Sequence, residues 1–208
     1  MRVGSRAAPD APRYARVPRA RQNRDVNTTF PDAERKEHGY HRGQVDEFLA
    51  RARASFEEAT ESDDRVTSAE IRRTAFAVRR SGYSARHVDA AMDRLEEVFF
   101  ERERRARIAE VGEEAWWEDT RQLLSELRGR LGRPKGKRFK RRSIFASGYR
   151  RAQVDAFLDL VDAMLQGHGS LTTADVRSVV FHTEWRGYNE DQVDALLDAV
   201  IVLMLSTR

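Results

Sequence analysis

The sequence predicts an all-α fold: repeated units of a short helix, a Gly-Tyr turn and a longer helix, paired as helical hairpins or coiled-coil-like bundles. Three observations predict it. The string G-Y-x-x-x-Q-V-D-x-x-L at 187–197 recurs with drift at three earlier places, and such a repeat is the first thing a fold must explain. Behind each copy, apolar residues fall at helical spacing. The stretch 66–89 repeats at 171–194 with a constant offset of 105 residues, which marks an internal duplication.

The four copies place Gly39, Tyr40, Val45 and Asp46 beside Gly82, Tyr83, Val88 and Asp89, then Gly148, Tyr149, Val154 and Asp155, then Gly187, Tyr188, Val193 and Asp194. Each reads as a helix start. Asn189 is a good N-cap, and Gln192 stands where it completes a capping box. Tyr188 and Val193 have the spacing of a hydrophobic staple. Gly187 permits a backbone conformation that a Cβ would resist. Glu190, Asp191 and Asp194 suit the positive end of the helix dipole. Ser84 is expected to cap the second copy, whereas His41 and Arg150 are poor caps.

Charge is unevenly spread. Residues 1–25 carry a net +5 and residues 128–142 a net +9, so against a whole-chain +4 the remainder carries −10. The periodic segments are therefore acidic, which weighs against a basic helix face reading DNA. With no cysteine there is no disulfide framework or cysteine metal site. No signal-like segment follows Met1, and no apolar run approaches the ~20 residues of a membrane span. The expected location is cytoplasmic, with peripheral contact at the inner face of the cell membrane.

In chain order, 1–27 reads as a disordered basic tail. The first pair of units spans 28–110. Its first helix has Val45, Phe48, Leu49, Ala52 and Phe56 on one stripe. A polar break at 61–65 follows. Then Thr67 caps a short helix, with Glu70 to complete the box and Val66 to staple to Ile71. The next long helix turns Val88, Met92, Leu95, Val98 and Phe99 inward. Gly112 is a break. An inserted amphipathic helix at 111–132 bears Trp116 and Trp117, which cannot both face one core because successive residues lie about 100° apart. One docks and the other covers a neighbouring surface. A basic linker spans 133–142, and the second pair of units spans 139–208, with Phe139 preceding Gly148 as Phe30 precedes Gly39. The apolar stripe of the last helix exceeds what one short helix buries alone, so it needs a partner.

At 172–197 the string T-T-A-D-V-x-x-x-x-F-x-x-x-W-R-G-Y-x-x-x-Q-V-D-x-L-L resembles the N-terminal domain of DivIVA proteins. The four degenerate copies together resemble actinobacterial proteins that carry this domain as repeats. The resemblance covers most of 66–99 and 139–205, and less of 30–56. It implies a scaffold in cell division or polar growth, not an enzyme. It also implies a parallel two-stranded pairing with crossed loops, and membrane contact through an exposed aromatic beside an arginine. Trp185 and Arg186 match those two positions. The other copies hold Glu37 and His38, Arg80 and Ser81, and Ala146 and Ser147, none aromatic. No long coiled coil of the family's kind stands in the sequence, so units within one chain are expected to pair with each other.

Nothing in the sequence spells an enzyme. The five histidines lack zinc-helix spacing, and no nucleophile elbow or phosphate loop occurs. The recurring aspartates read as groups holding the preceding loop or an arginine. No cofactor or metal is expected. The binding surface has two readings. One is an anionic membrane, met by Arg138, Lys140, Arg141 and Arg142 at ~1 kcal/mol per cation near the surface, with Trp185 and Arg186 as wedge. The plainer version of that region is a solvated linker, with Trp185 packed between helices. The alternative is nonspecific nucleic-acid binding by the tail and linker. A protein partner, either a full-length DivIVA-type scaffold or a second copy, is the third role.

Overall fold

A computed structural model of the chain describes residues 29–34, 37–57 and 65–207; the tail read at 1–27 and most of the break at 61–65 lie outside them. The described residues are mostly helical. The first half holds α1 (Arg42–Glu57), α2 (Ser68–Arg73) and α3 (Ala85–Val111). The Trp-bearing helix is α4 (Glu113–Leu131). The second half holds α5 (Arg151–Leu165), α6 (Thr173–Ser178) and α7 (Glu190–Ser206).

The Gly-Tyr segments correct the all-α expectation: they lie in or beside short antiparallel strands, not turns. β1 (His38–Tyr40) pairs with β2 (Val78–Arg80), and β3 (Ser147–Tyr149) with β4 (Thr183–Trp185). The register is the same in both halves, with His38 opposite Arg80 and Ser147 opposite Trp185. Just beyond each ladder the two Gly-Tyr segments cross. Tyr40 N–H donates to the Tyr83 carbonyl at 2.9 Å and Tyr83 N–H returns the bond at 2.9 Å. Tyr149 and Tyr188 do the same at 3.0 and 2.8 Å. Each copy thereby satisfies the other's backbone polar groups.

That crossing explains the glycines. A Cβ at Gly39 would lie 2.2 Å from the Tyr83 carbonyl oxygen, and one at Gly148 would lie 2.2 Å from that of Tyr188. A Cβ at Gly187 would meet the Gly148 carbonyl oxygen at 2.4 Å. Close approach, rather than an unusual backbone angle, is what Gly187 supplies. The left-handed residues are its neighbour Arg186, φ 55°, and the matching Ser81, φ 57°.

The caps follow the sequence in part. Thr67, Thr172 and Asn189 accept from the backbone three residues on, and Thr172 forms a full capping box with Asp175. Gln192 does not complete a box. Its Oε1 accepts from Lys140 N–H at 3.1 Å. Glu70 likewise pairs with Arg51 instead of reaching back. Ser84 Oγ is engaged with His87 Nδ1 at 3.0 Å and does not cap. His41, expected to be a poor cap, places Nδ1 3.3 Å from Gln44 N–H.

Val45, Val88, Val154 and Val193, one from each copy, are essentially inaccessible. The first half packs Phe48, Ala52, Val66, Ile71 and Phe99 together. The larger second core joins α4 to α5 and α7 through Leu127, Leu131, Leu158, Leu196 and Val200. This is the partner the apolar last helix needs. Trp116 docks edge-on against Phe100, ring centroids 6.1 Å apart, while Trp117 donates from Nε1 to Glu113 at 3.3 Å. Phe100 is therefore buried on α3, and Val98, expected inward, is 50% exposed. Phe99 stays buried as expected.

Candidate functional site

The motif's side chains reach across to the partner copy. Tyr83 donates from its hydroxyl to both Asp46 carboxylate oxygens at 3.1 Å. Tyr188 donates to Asp155 at 3.1 and 3.2 Å. The reverse bonds join Tyr40 to Asp89 and Tyr149 to Asp194. The glutamines cross as well: Gln44 Oε1 accepts from Ala77 N–H, and Gln153 Oε1 from His182 N–H, both at 2.8 Å. Gly, Tyr, Gln and Asp thus form an interlock between two copies, where sequence reasoning placed them within one helix start. Helical periodicity locates a helix start but does not say which hydroxyl meets which carboxylate.

The local electrostatics follow. Burial, then the charge of Asp155, pushes the Tyr188 hydroxyl above its ordinary pKa, against the Arg138 N–H that lowers it. Partial burial raises Asp89 and Asp194 above the usual aspartate range despite the tyrosine bonds that lower them.

The halves meet at Glu96, on α3, which is 1% exposed. Arg72 Nε donates to it at 2.8 Å, and Arg177 from the other half also pairs with it. Arg177 holds Asp93 at 2.8 Å, and Arg73 holds Asp198 at 2.9 Å. Nothing in the motif points to this buried triad. A groove of about 1100 Å³ between the halves includes Tyr40, Asp89, Tyr149 and Asp194 in its lining, and no histidine. Among the described residues no cluster of three His, Asp or Glu has the grouping a metal ion needs, and no helix is long and apolar enough to cross a membrane.

Of residues 138–142, read within the linker, Arg138 and Phe139 are buried and Arg142 is bonded to the Gly-Tyr segment. Phe139 sits edge-on to Tyr188, ring centroids 5.2 Å apart, as Phe30 does to Tyr83 at 5.4 Å. Arg142 N–H donates to the Gly187 carbonyl, as Ala33 N–H does to that of Gly82. Arg138 is the correction among the proposed surface cations. It is buried, donating to the Asp155 carbonyl and to Asp159 Oδ1, each at 2.8 Å, and its backbone N–H donates to the Tyr188 hydroxyl. Lys135 is also paired, 2.6 Å from Asp159. Lys140 and Arg141 are exposed, and Arg142 is half-buried.

Trp185 is not packed between helices. It is 62% exposed at the end of β4, followed by exposed Arg186. The lead-in to β3 runs beside it: Arg186 N–H donates to the Ala146 carbonyl at 3.1 Å. That lead-in leaves Ile144 54% and Phe145 84% exposed. The equivalent end of the first half offers His38, Arg80 and Ser81, with no aromatic. Three large exposed apolar side chains thus stand on two backbone-linked segments of the second half. Sequence reading found Trp185 and missed Ile144 and Phe145, because Phe145 stands one position before the site where the motif places its aromatic.

Comparison with models of known families, with curated proteins and with solved structures returns no match. The likeness to DivIVA therefore rests on the motif residues themselves.

Proposed function

We infer that the chain is a non-enzymatic scaffold or adaptor of the DivIVA kind. Its four units form two internally paired copies of one domain, and it docks peripherally on an anionic membrane face through the Trp185 end. The observation that carries this reading is the exposed Trp185 with exposed Arg186 after it, bonded through Arg186 N–H to the segment that leaves Ile144, Phe145, Lys140 and Arg141 exposed. Isolated exposed apolar residues need no explanation, but a cluster rimmed by cations marks an interaction surface. Stable peripheral attachment takes an apolar insertion together with a basic patch. Each cation near an anionic surface contributes ~1 kcal/mol. The Tyr-Asp interlock supports the internal pairing, since it supplies within one chain the crossed segments that the family's dimer makes between two. A role in cell division or polar growth, and binding to a full-length DivIVA-type scaffold or a second copy, follow from the resemblance.

The nucleic-acid alternative has less on its side, because Arg138 and Lys135 are already engaged by acids. Flotation tests the reading. The chain is expected to rise with anionic vesicles and not with neutral ones, and Trp185→Ala with Phe145→Ala is expected to stay behind. Equal recovery of this double variant with anionic vesicles, or salt-sensitive DNA binding without flotation, would overturn it.

A further inference from the structure

Beside the Trp185 end lies a hollow of about 350 Å³ between the 140–143 segment and the start of α7. Its lining includes Lys140, Arg141, Arg142, Ser143, Asn189 and Gln192, and no carboxylate. We propose that this hollow is a binding site for a phosphate group, either free or as the headgroup of a lipid.

The hydrogen-bond inventory is what makes it a receptor for an anion. The side-chain acceptors around it are each already engaged by a backbone donor. Asn189 Oδ1 accepts from Gln192 N–H at 3.0 Å, and Gln192 Oε1 accepts from Lys140 N–H at 3.1 Å. Ser143 Oγ accepts from Phe145 N–H at 3.4 Å. Against them stands a larger set of donors: the two side-chain amide NH₂ groups, the Ser143 hydroxyl, the Lys140 ammonium and two guanidiniums. Arg142 Nε is buried with no hydrogen-bond partner, and an unmet buried donor is the kind of exception a ligand explains. Arginine forks match phosphate oxygens bidentately, and the amino end of the 17-residue α7 adds its dipole. The two acids of the first turn, Glu190 and Asp191, do not line the hollow; their charge is felt at Asp194. The volume is at the small end for ligand sites, with room for a phosphate and its nearest atoms. Ala146, which also lines it, bonds Arg186 beside Trp185. A membrane-seated tip would therefore bring lipid headgroups to it. The lipid source rests on the membrane reading above, and the free-phosphate source does not.

Two arms separate them. In the first, inorganic phosphate is titrated into the full chain and followed by amide NMR. The amides of 140–143 and 189–192 are expected to shift saturably, and Lys140→Gln with Arg141→Gln to weaken the affinity at least tenfold. Both side chains are exposed, so the variant's unchanged remaining spectrum serves as the folding control. In the second, vesicles carrying phosphatidic acid are compared with vesicles of phosphatidylglycerol at matched charge. Tighter binding to the phosphomonoester is expected, lost in the double variant, while Trp185→Ala weakens both lipids alike. Phosphate binding without vesicle binding would keep the site and defeat the membrane reading. Vesicle binding with no lipid preference and no saturable phosphate shift would defeat the site and leave the membrane reading standing.

Discussion

The hydroxyl of Tyr188 lies 3.1 Å from Oδ1 of Asp155, a residue 33 positions earlier on the helix of the other copy. The same hydroxyl accepts from Arg138 N–H at 3.2 Å. One phenol thus ties together the crossed strand, the partner helix and the segment that carries the basic hollow. Tyr188→Phe leaves the Arg138 N–H unmet in a buried setting, and such a loss costs about 1–3 kcal/mol. Urea unfolding should show a loss in that range, and a Tyr83→Phe, Asp46→Asn double-mutant cycle should return a favourable coupling in the first half. Additive single effects would break the interlock account.

The glycines give a contrast that ordinary helix propensity cannot. Gly148→Ala forces a Cβ against the Tyr188 carbonyl at 2.2 Å, so it should unfold the second half or cost well over the ~1 kcal/mol typical of a point change. Gly129 lies inside α4, and a Cβ there meets nothing within 4 Å. Gly129→Ala should stabilise by about 0.5–1 kcal/mol. Thermal melts of the two variants should move in opposite directions.

Glu96 is the joint between halves. Removing one partner from a buried ion pair costs about 3–5 kcal/mol because a charge is left uncompensated. Glu96→Ala leaves Arg72, 5% exposed, without its carboxylate and Arg177, 16% exposed, with Asp93 alone. Chemical denaturation should register that loss. A change below about 0.5 kcal/mol, the range of a surface substitution, would mean the halves do not meet through this triad.

Carboxylates should titrate in two groups. Partial burial raises Asp89 and Asp194. A raised acid in the fold disfavours folding once ionised, so stability falls as pH climbs from the ordinary aspartate value through the raised one. Asp159 goes the other way: burial works against it, but Lys135 and Arg138 hold it below the usual range. Glu184 is held down by Arg151. Their contribution is present above the ordinary values and lost as pH falls through the lowered ones. Carboxyl-carbon NMR should place the midpoints of Asp89 and Asp194 above that of Asp159, and Glu184 below the ordinary glutamate range.

Local signals were legible in the sequence, and partner choice was not. Thr67, Thr172 and Asn189 cap as their residue types dictate, and Phe139 restarts the pattern of Phe30 because the same ring must meet the same tyrosine. The Tyr-Asp bonds were hidden because they join residues 33 to 49 positions apart, a distance at which spacing carries no information. Arg138 was misplaced because composition sees a run of cations and not the two aspartates of α5 that receive one of them. Trp185 was the reverse case: the motif named it as a contact residue, and it stands exposed at the end of a strand.

The most direct measurement is the fluorescence of Trp185 alone, in a Trp116→Phe, Trp117→Phe background that leaves it as the single indole. With anionic vesicles its emission should shift to the blue and be quenched by lipids brominated along the acyl chain, while dissolved iodide loses access. An emission unchanged by vesicles, still open to iodide and untouched by brominated lipid, would contradict the membrane-docking account.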